Sequence, residues 1–378
     1  MRLVFISTMS GYPWGGSEEL WSQSAARLRA AGHTVAASFE KTTPVSPKLQ
    51  ALAAQGIELR LRAPARGALS RAIWARLSGR PIKDAEQAWL RAQTPDLVVI
   101  SMGGISDGWH WMKFCREAAL PYAAIVQSNA DAVWVRDDTA AKMAAVYDGA
   151  RAVYCVSQHN LRRLEWQLGQ ELPKACVVWN PNNAGALEIL PWPEKKPTTR
   201  LACVARLEPE AKGQDILFQV LAQPLWRNRP IELNLYGAGP CEQILRKMAA
   251  RLHLANVVFR GHIAKVDDIW RDNHLLVLPS RHEGMPLTLI EAMSCGRPAV
   301  VTDVGGNAEL CVDGETGFVA SAPAVGPFAE ALERAWARGT EWENMGRAAR
   351  ERVLQIVPRD SVGEFCEALL ALAESARK

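Results

Sequence analysis

The sequence lacks several features that would place it in particular protein classes. None of its apolar runs reaches the ~20 residues that a helix needs to span a bilayer. Its eight cysteines form no Cys-x-x-Cys pair, which argues against a zinc site and against a disulfide framework. No internal repeat of solenoid length is present. We therefore expect a globular protein with reduced thiols and without a zinc site.

The net charge is only +4, but the basic residues are unevenly spread. The stretch from Leu59 to Lys83 contains no acidic residue, and Ile73, Trp74 and Leu77 are interleaved with its charges. Such a face suits an anionic membrane surface or an anionic acceptor, and a solvated helix is the plainer alternative. Nucleic acid is not expected, because no nucleic-acid-binding module accompanies the charge. The basic residues are Arg60, Arg62, Arg66, Arg71, Arg76, Arg80 and Lys83.

The stretch from Pro279 to Met293 organises the chain. Apolar runs at 275–278 and 299–301 flank it and are typical of buried strands. This order predicts one βαβ unit, with its loop at the carboxyl end of the first strand. Gly284 and Pro286 allow the backbone to bend closely around a ligand. A helix that begins near Pro286 would direct its N–H groups and positive dipole end toward an anion.

Two glutamates, Glu283 and Glu291, lie eight positions apart in this stretch. Eight positions are close to two helical turns, so both side chains can lean toward one side. Carboxylates accept paired hydrogen bonds from neighbouring hydroxyls, such as those of a sugar or a ribose. Two isolated glutamates would more simply be surface residues. The turn, the helix start and the strands around them favour the binding hypothesis.

The pattern Glu283-Gly284-Met285-Pro286 followed by Glu291 resembles the signature of retaining glycosyltransferases of the GT-B class, family 4. The resemblance continues through residues 303–309 and 313–318 and covers most of the C-terminal half. It implies an α/β fold of two Rossmann-like domains facing across a cleft. The implied domains are an acceptor domain at 1–190, joined by a C-terminal helix at 360–378 that crosses back to it, and a nucleotide-sugar donor domain at 198–359. Pro191–Pro197 is the predicted linker, because three prolines fall within it.

A second motif, Ala205-Arg206-Leu207 followed by Lys212-Gly213, is similar to the Gly-Arg-Leu and Lys-Gly pattern of the same family, with Ala205 in place of the glycine. Two cations on a strand-to-helix loop can bind a pyrophosphate. Arg206 can donate two parallel hydrogen bonds to it, and Lys212 can pair with it as a point charge. The resemblance implies that Glu283, Arg206 and Lys212 form the catalytic set.

The resemblance also implies the contacts of the donor. Glu283 would hold hydroxyls of the transferred sugar, with backbone contacts nearby, and Glu291 would hold the ribose. The loop with Ile263 would pack on the nucleobase. Gly16, in the glycine-rich loop at 8–18 with Ser17 as the expected N-cap, would face the diphosphate. The donor-binding set is Gly16, Gly284, Met285, Pro286, Leu287, Glu291 and Ile263.

Loops in the N-terminal half supply acceptor or sugar candidates. Asp107 and His110 lie in a second glycine-rich loop after a strand, with tryptophans beside them. Gln127 stands where members of the family commonly carry a histidine that contacts the transferred sugar. Gln127 or Asn129 can bond a hydroxyl, but neither carries a proton at neutral pH.

The resemblance implies transfer of a sugar, with retention, from a nucleotide diphosphate sugar to a hydroxyl of a glycan, lipid-linked or small-molecule acceptor. UDP is the favoured nucleotide and GDP the next. No Asp-x-Asp motif is present. With the resemblance, this predicts a metal-independent enzyme that needs no cofactor, because the nucleotide sugar is a substrate. We expect the enzyme to be cytoplasmic, with peripheral contact at the inner membrane face as an option. The alternatives are a catalytically silent nucleotide or glycan binder, a phosphorylase or sugar-nucleotide epimerase of the same fold, and a membrane-bound scaffold.

Overall fold

The computed structural model describes residues 1–63, 84–182, 189–194 and 197–377. The hypothesis of membrane contact rests on the basic stretch from Leu59 to Lys83. Most of this stretch lies outside the described residues. The chain divides into two units. Unit 1 comprises Met1–Pro181 and Asp360–Lys378, and unit 2 comprises Asn182–Arg359.

Unit 1 is built on a parallel sheet of seven strands within the described residues. Its central strands are apolar and buried on both faces, as is typical of a parallel sheet covered by helices. The strand order is β3-β2-β1-β4-β5-β6-β7. The strands are β1 (Arg2–Ser7), β2 (Thr34–Glu40), β3 (Glu58–Arg62), β4 (Leu97–Met102), β5 (Tyr122–Val126), β6 (Val153–Cys155) and β7 (Ala175–Val177).

The described helices of unit 1 connect these strands, and the last one comes from the C-terminus. That helix begins after the N-cap Asp360, whose side chain accepts from the Gly363 N–H, and it packs against the first helix. Arg27 on the first helix lies 2.6 Å from Asp360. The helices are α1 (Glu19–Ala30), α2 (Pro47–Ala54), α3 (Asp84–Ala92), α4 (Trp109–Glu117), α5 (Asp137–Asp148), α6 (Gln158–Leu168) and the C-terminal helix (Ser361–Ser375).

Unit 2 contains a parallel sheet of six strands, counted over the residues that the structure describes. The strand order is β10-β9-β8-β11-β12-β13, and β11 and β12 are buried throughout. The strands are β8 (Thr199–Val204), β9 (Ile231–Tyr236), β10 (Val257–Gly261), β11 (Leu275–Leu278), β12 (Ala299–Thr302) and β13 (Gly317–Ala320).

The helices of unit 2 cover both faces of this sheet with apolar side chains, among them Phe218, Leu245 and Phe328. They are α7 (Pro209–Lys212), α8 (Gln214–Leu221), α9 (Pro224–Arg227), α10 (Glu242–Arg251), α11 (Val266–Asp272), α12 (Leu287–Ser294), α13 (Asn307–Leu310), α14 (Val325–Ala337) and α15 (Trp342–Ile356). The C-terminal helix of unit 1 is therefore α16.

The strand order reverses once in each sheet. In unit 1, β1 lies between β2 on one side and β4 on the other. In unit 2, β8 lies between β9 on one side and β11 on the other. The loops that follow such a strand pair diverge, so a crevice opens at the carboxyl ends of the strands. The loops after β8 and β11 carry Lys212 and Glu283, which places the central motif at this position of unit 2.

The division between the units falls at Pro181 and Asn182, earlier than the predicted end of the first domain at residue 190. Hydrogen bonds explain the difference. The Asn182 Nδ2 donates to Ser294 Oγ at 2.8 Å, and the buried guanidinium of Arg297 donates to the Leu190 and Pro191 carbonyls at 3.3 and 2.6 Å. The start of the proline-rich stretch is therefore bonded to unit 2 instead of forming an unattached linker.

Among the helices that the structure describes, none is both long enough and apolar enough to cross a bilayer.

Candidate functional site

A lysine and a glutamate meet at the switch point of unit 2. The Lys212 Nζ lies 2.6 Å from Glu283 Oε1, and the Ser280 hydroxyl donates to the same oxygen at 2.7 Å. Lys212 ends α7 after β8, and Glu283 lies in the loop between β11 and α12. Ser280 is held in turn, because Thr302 Oγ1 donates to its carbonyl at 2.6 Å. Two predicted catalytic residues are thus in direct contact.

The Lys212–Glu283 pair is largely removed from solvent. The side chains are 18% and 6% exposed. A carboxylate at this depth is tolerated only when it is paired and hydrogen-bonded, and Lys212 and Ser280 meet that requirement. The pair therefore presents a charged but internally compensated group at the carboxyl edge of the sheet.

The two loops approach each other so closely that one position requires glycine. Gly213 has φ +66°, and a Cβ built there would lie 2.0 Å from the Pro279 carbonyl oxygen. The Arg281 and His282 N–H groups donate to the Ala211 carbonyl at 2.9 and 3.1 Å. Backbone contacts therefore set the spacing between Lys212 and Glu283, in addition to the ion pair.

Helix α12 begins where the sequence predicts. Pro286 is its N-cap and Leu287 its first residue. Gly284 and Met285 are buried in the preceding loop, and the Gly284 carbonyl accepts from Gly306 N at 2.6 Å. Glu291 is buried on the second turn of α12. Its predicted contact with a ribose stays a prediction.

Arg206 follows β8 at the same edge of the sheet. Its side chain is 40% exposed and forms an ion pair with Glu208 at 3.2 Å. Its carbonyl accepts from Gln214 Nε2 at 2.7 Å, which anchors the backbone of the loop. The guanidinium is therefore on the surface of unit 2, paired with an acidic side chain.

Ile263, the predicted nucleobase contact, lines a cavity of about 600 Å³. Asn234, Tyr236, Arg260 and Asp272 are also part of its wall. A chain of hydrogen bonds runs along this wall: Arg260 Nε donates to Asn234 Oδ1 at 2.6 Å, and Asn273 Nδ2 donates to the Tyr236 hydroxyl at 2.9 Å. The cavity wall therefore combines apolar surface with charged side chains of both signs.

The glycine-rich loop after β1 forms a short 3-10 helix at Gly16–Glu18. The expected cap of α1 by Ser17 is wrong: Glu18 is the N-cap, without a side-chain cap bond, because the 3-10 turn continues directly into α1. Glu18 is buried, and burial raises its pKa although it accepts from Trp21 Nε1 at 2.7 Å. Sequence reasoning missed this buried carboxyl. Its signal is the pair Glu18-Glu19 at the start of an otherwise apolar helix face.

Asp107 and His110 follow β4. The Asp107 Oδ2 accepts from the Gly104 N–H at 2.7 Å, which closes the glycine-rich turn. His110 lies at the start of α4 with its ring 4.3 Å from that of Trp109. Burial, and secondarily the charge of Lys113, lower the pKa of His110 to about 4, so its ring is neutral at pH 7.

Gln127 and Asn129, which follow β5, are both buried and both bonded to another amide. The Asn180 Nδ2 donates to Gln127 Oε1 at 3.1 Å, and the Asn129 Nδ2 donates to Gln167 Oε1 at 2.7 Å. Among the described residues, Gln127 Nε2 and Asn129 Oδ1 have no hydrogen-bond partner. Asn180, which follows β7, was not predicted as a site residue.

Within the described ranges, no group of three or more His, Cys, Asp or Glu side chains is arranged to hold a metal ion.

Comparison with known proteins agrees with the fold. HepE of Anabaena, in a crystal structure with UDP and glucose, superposes with a TM-score of 0.73 at 18% identity, over 97% of this chain and 99% of that chain. Sucrose-phosphate synthase of Thermosynechococcus elongatus gives 0.73 at 19% identity, over 98% and 100%. The predicted fold class, two parallel α/β sheets of the GT-B type, is confirmed.

Residues 198–338 match the family model "Glycosyl transferases group 1". The matched region contains the motifs around Glu283 and Lys212. The chain spans less than two thirds of the length of the curated relatives described here. D-inositol 3-phosphate glycosyltransferase of Gordonia bronchialis is 33% identical over 160 residues, 39% of this chain and 34% of that protein. GDP-mannose-dependent alpha-(1-6)-phosphatidylinositol monomannoside mannosyltransferase of Mycolicibacterium smegmatis is 32% identical over 232 residues, 54% of this chain and 58% of that protein.

Proposed function

We propose that this protein is a retaining glycosyltransferase that moves a sugar from a nucleotide diphosphate sugar to a hydroxyl of a glycan, lipid-linked or small-molecule acceptor. The observation that carries the proposal is the contact between Lys212 and Glu283, 2.6 Å apart at the switch point of unit 2. The group 1 match over residues 198–338 supports it. Relatives named as using an inositol phosphate or GDP-mannose, and a neighbour bound to UDP, support this class of substrate.

The leaving group dominates the barrier of this reaction. As the bond from the anomeric carbon to the β-phosphate oxygen breaks, negative charge grows on that phosphate. Lys212 keeps two N–H donors beyond its bond to Glu283, and Arg206 can exchange Glu208 for a phosphate. Together with the N–H groups at the start of α12, these donors of unit 2 would stabilise the developing charge without a divalent metal.

Glu283 would orient the transferred sugar. Lys212 and Ser280 both bond Oε1, so we assign Oε2 to the sugar hydroxyls. Glu291 would hold the ribose, and Ile263 the nucleobase beside the cavity that it lines. UDP is the favoured nucleotide of the donor, and GDP is the next.

Retention follows from attack on the face that the phosphate leaves. The acceptor oxygen forms the new bond to the anomeric carbon, the bond to the phosphate oxygen breaks, and that oxygen takes the acceptor's proton. No side chain has to act as the base on this route. A glutamine at position 127 is therefore compatible with turnover, and its amide would bond a sugar hydroxyl.

A thermal-shift and donor-consumption screen with UDP, GDP and ADP sugars, without added metal, tests the proposal. We expect one nucleotide to raise the melting temperature and its sugar to be consumed slowly, and Glu283→Gln and Arg206→Ala to abolish consumption. Arg347→Ala, which removes another exposed arginine with a glutamate partner at 2.8 Å, should leave it unchanged.

Two results would contradict this expectation in different ways. Nucleotide binding without consumption of any donor, even with pooled acceptors, would make the protein a silent binder. Absence of nucleotide binding would show that the assignment of Arg206 and Glu291 is wrong.

A further inference from the structure

A second cavity in unit 2, of about 360 Å³, lies at the opposite end of the sheet from the candidate site. Thr199, the first residue of β8, and His274, directly before β11, form part of its wall. Lys212 and Glu283 follow the carboxyl ends of the same two strands. Since a strand rises about 3.3 Å per residue, the six residues of β8 separate the two ends by roughly 20 Å.

Three tryptophans form the walls of this cavity: Trp192, Trp336 and Trp342. Trp192 and Trp336 are half-buried, and Trp342 is buried with its Nε1 bonded to the Ala335 carbonyl at 2.8 Å. Flat apolar walls with a few fixed polar groups are the usual composition of a small-molecule site, and the volume falls at the lower end of the ~300–1,000 Å³ of such sites. A cavity of this volume and composition can hold a single ring of a ligand.

His274 supplies a fixed hydrogen-bond donor. The Arg200 N–H donates to His274 Nδ1 at 3.2 Å, so the neutral ring carries its proton on Nε2. Burial, and secondarily the charge of Arg200, lower the pKa of His274 to about 4, and the ring is neutral at pH 7. The hydroxyls of Thr199 and Thr340, also in the wall, both donate and accept.

The charges behind the walls select against a cation. The guanidinium of Arg297 lies 5.2 Å from the ring centre of Trp192, and that of Arg229 lies 5.1 Å from that of Trp336. A ligand cation would therefore meet rings already engaged by cations. None of the described residues in the wall carries a formal charge that could pair with an anion.

We propose that this cavity is a binding site for a pyranose ring of an uncharged glycan, separate from the candidate catalytic site. The tryptophan walls match the apolar C–H faces of the ring, and His274 Nε2 and the threonine hydroxyls match its hydroxyl edge. The site would hold a glycan at a distance from Lys212 and Glu283. The inference stands on this cavity and does not depend on the proposed transfer reaction.

Saturation-transfer NMR tests the site with methyl α-D-glucopyranoside, methyl α-D-mannopyranoside and methyl β-D-galactopyranoside, and with choline as the cationic probe. Gly339 lines the cavity, and a Cβ built on it meets nothing within 4 Å. Gly339→Leu therefore narrows the cavity without removing a packing contact. Gly326→Leu is the matched control, because Gly326 on α14 is equally open and does not line the cavity.

We expect transfer to at least one glycoside with the wild type, Gly326→Leu and Glu283→Gln, and a loss of at least fivefold with Gly339→Leu and Trp336→Ala. The proposal is overturned if no glycoside responds, if only choline responds, or if Gly339→Leu responds like the wild type. Loss of the signal in Glu283→Gln would also overturn it, because binding would then be at the candidate catalytic site. Donor consumption is measured in a separate experiment. If the protein consumes no donor, the NMR result on glycoside binding can therefore still be interpreted.

Discussion

Arg281 and Asp215 form an ion pair with two parallel hydrogen bonds, Nη1 to Oδ1 at 2.6 Å and Nη2 to Oδ2 at 2.8 Å. Arg281 lies just before Glu283 in the loop after β11, and Asp215 lies just after Lys212, at the start of α8. Arg281 Nη1 also donates to the Pro209 carbonyl at 2.7 Å. The pair therefore ties together the two loops that carry the candidate catalytic side chains.

Arg281→Ala should strongly reduce the rate of donor consumption, while the melting temperature falls only slightly. The pair is partly exposed and is worth about 1 kcal/mol, a shift of roughly 2–4 °C in melting temperature. The loops would lose their alignment, and we expect a loss of tenfold or more in kcat/KM. Arg334→Ala breaks a 2.7 Å pair with Asp313 elsewhere in unit 2 and should change only stability. Equal activity losses in both variants would contradict a positioning role.

Lys212→Met should destabilise the protein more than Glu283→Gln. Without Lys212 the buried carboxylate of Glu283 keeps only Ser280 as a described partner, and we expect a loss of about 2–3 kcal/mol in the free energy of unfolding. The amide of Glu283→Gln can still accept from both groups, so a loss of about 1 kcal/mol is expected. Denaturant unfolding at pH 7 measures both values, and the reverse order would show that the pair is not what stabilises these loops.

Gly305→Ala should be strongly destabilising. Gly305 has φ +57°, and an added Cβ would lie 2.5 Å from the Glu283 carbonyl oxygen. Left-handed backbone strain of about 1–2 kcal/mol would add to this backbone collision, for a total of about 3 kcal/mol or more. Gly314→Ala is the control: its φ is +77°, but its nearest contact is the Arg338 Nη1 at 3.7 Å. Thermal unfolding of the two variants separates the effect of backbone strain from that of the collision with the Glu283 carbonyl. Similar losses of melting temperature in both variants would show that strain alone destabilises Gly305→Ala.

Stability should fall on acidification below pH 6.5, in part through His110. Its pKa is about 4 in the folded protein, against 6.5 when unfolded. Between these values the unfolded state binds more protons, so the free energy of unfolding decreases as pH falls. Because the ring is only partly buried, solvent screening reduces this contribution to about 1 kcal/mol or less between pH 7 and pH 5. We expect the stability profile of His110→Gln to be flatter in that range than that of the wild type. Identical profiles for the two proteins would exclude His110.

Asn180→Ala should weaken function through Gln127. It removes the donor that fixes Gln127 Oε1 at 3.1 Å, so the amide of Gln127 can turn. If the two residues act as one unit, the double variant with Gln127→Ala loses no more donor consumption than Gln127→Ala alone. Additive losses would mean that the two amides act independently.

The strands and the two central motifs could be predicted from the sequence alone. Apolar runs such as Leu275–Leu278 are long and uninterrupted because both faces of a parallel strand are buried. The start of α12 at Pro286 was also predictable, because a proline is compatible with a helix start and not with its interior. The direct bond between Lys212 and Glu283 was not predictable, since it depends on how closely two loops approach.

Tertiary structure decided the remaining features, for one physical reason. Contacts between residues distant in sequence depend on which strands lie side by side, and the composition of a short segment does not record this. The sequence determined that Pro191 and Trp192 lie in a proline-rich stretch. Only the fold bonded the Pro191 carbonyl to buried Arg297 and set Trp192 beside His274, with ring centres 5.8 Å apart, in the wall of a cavity.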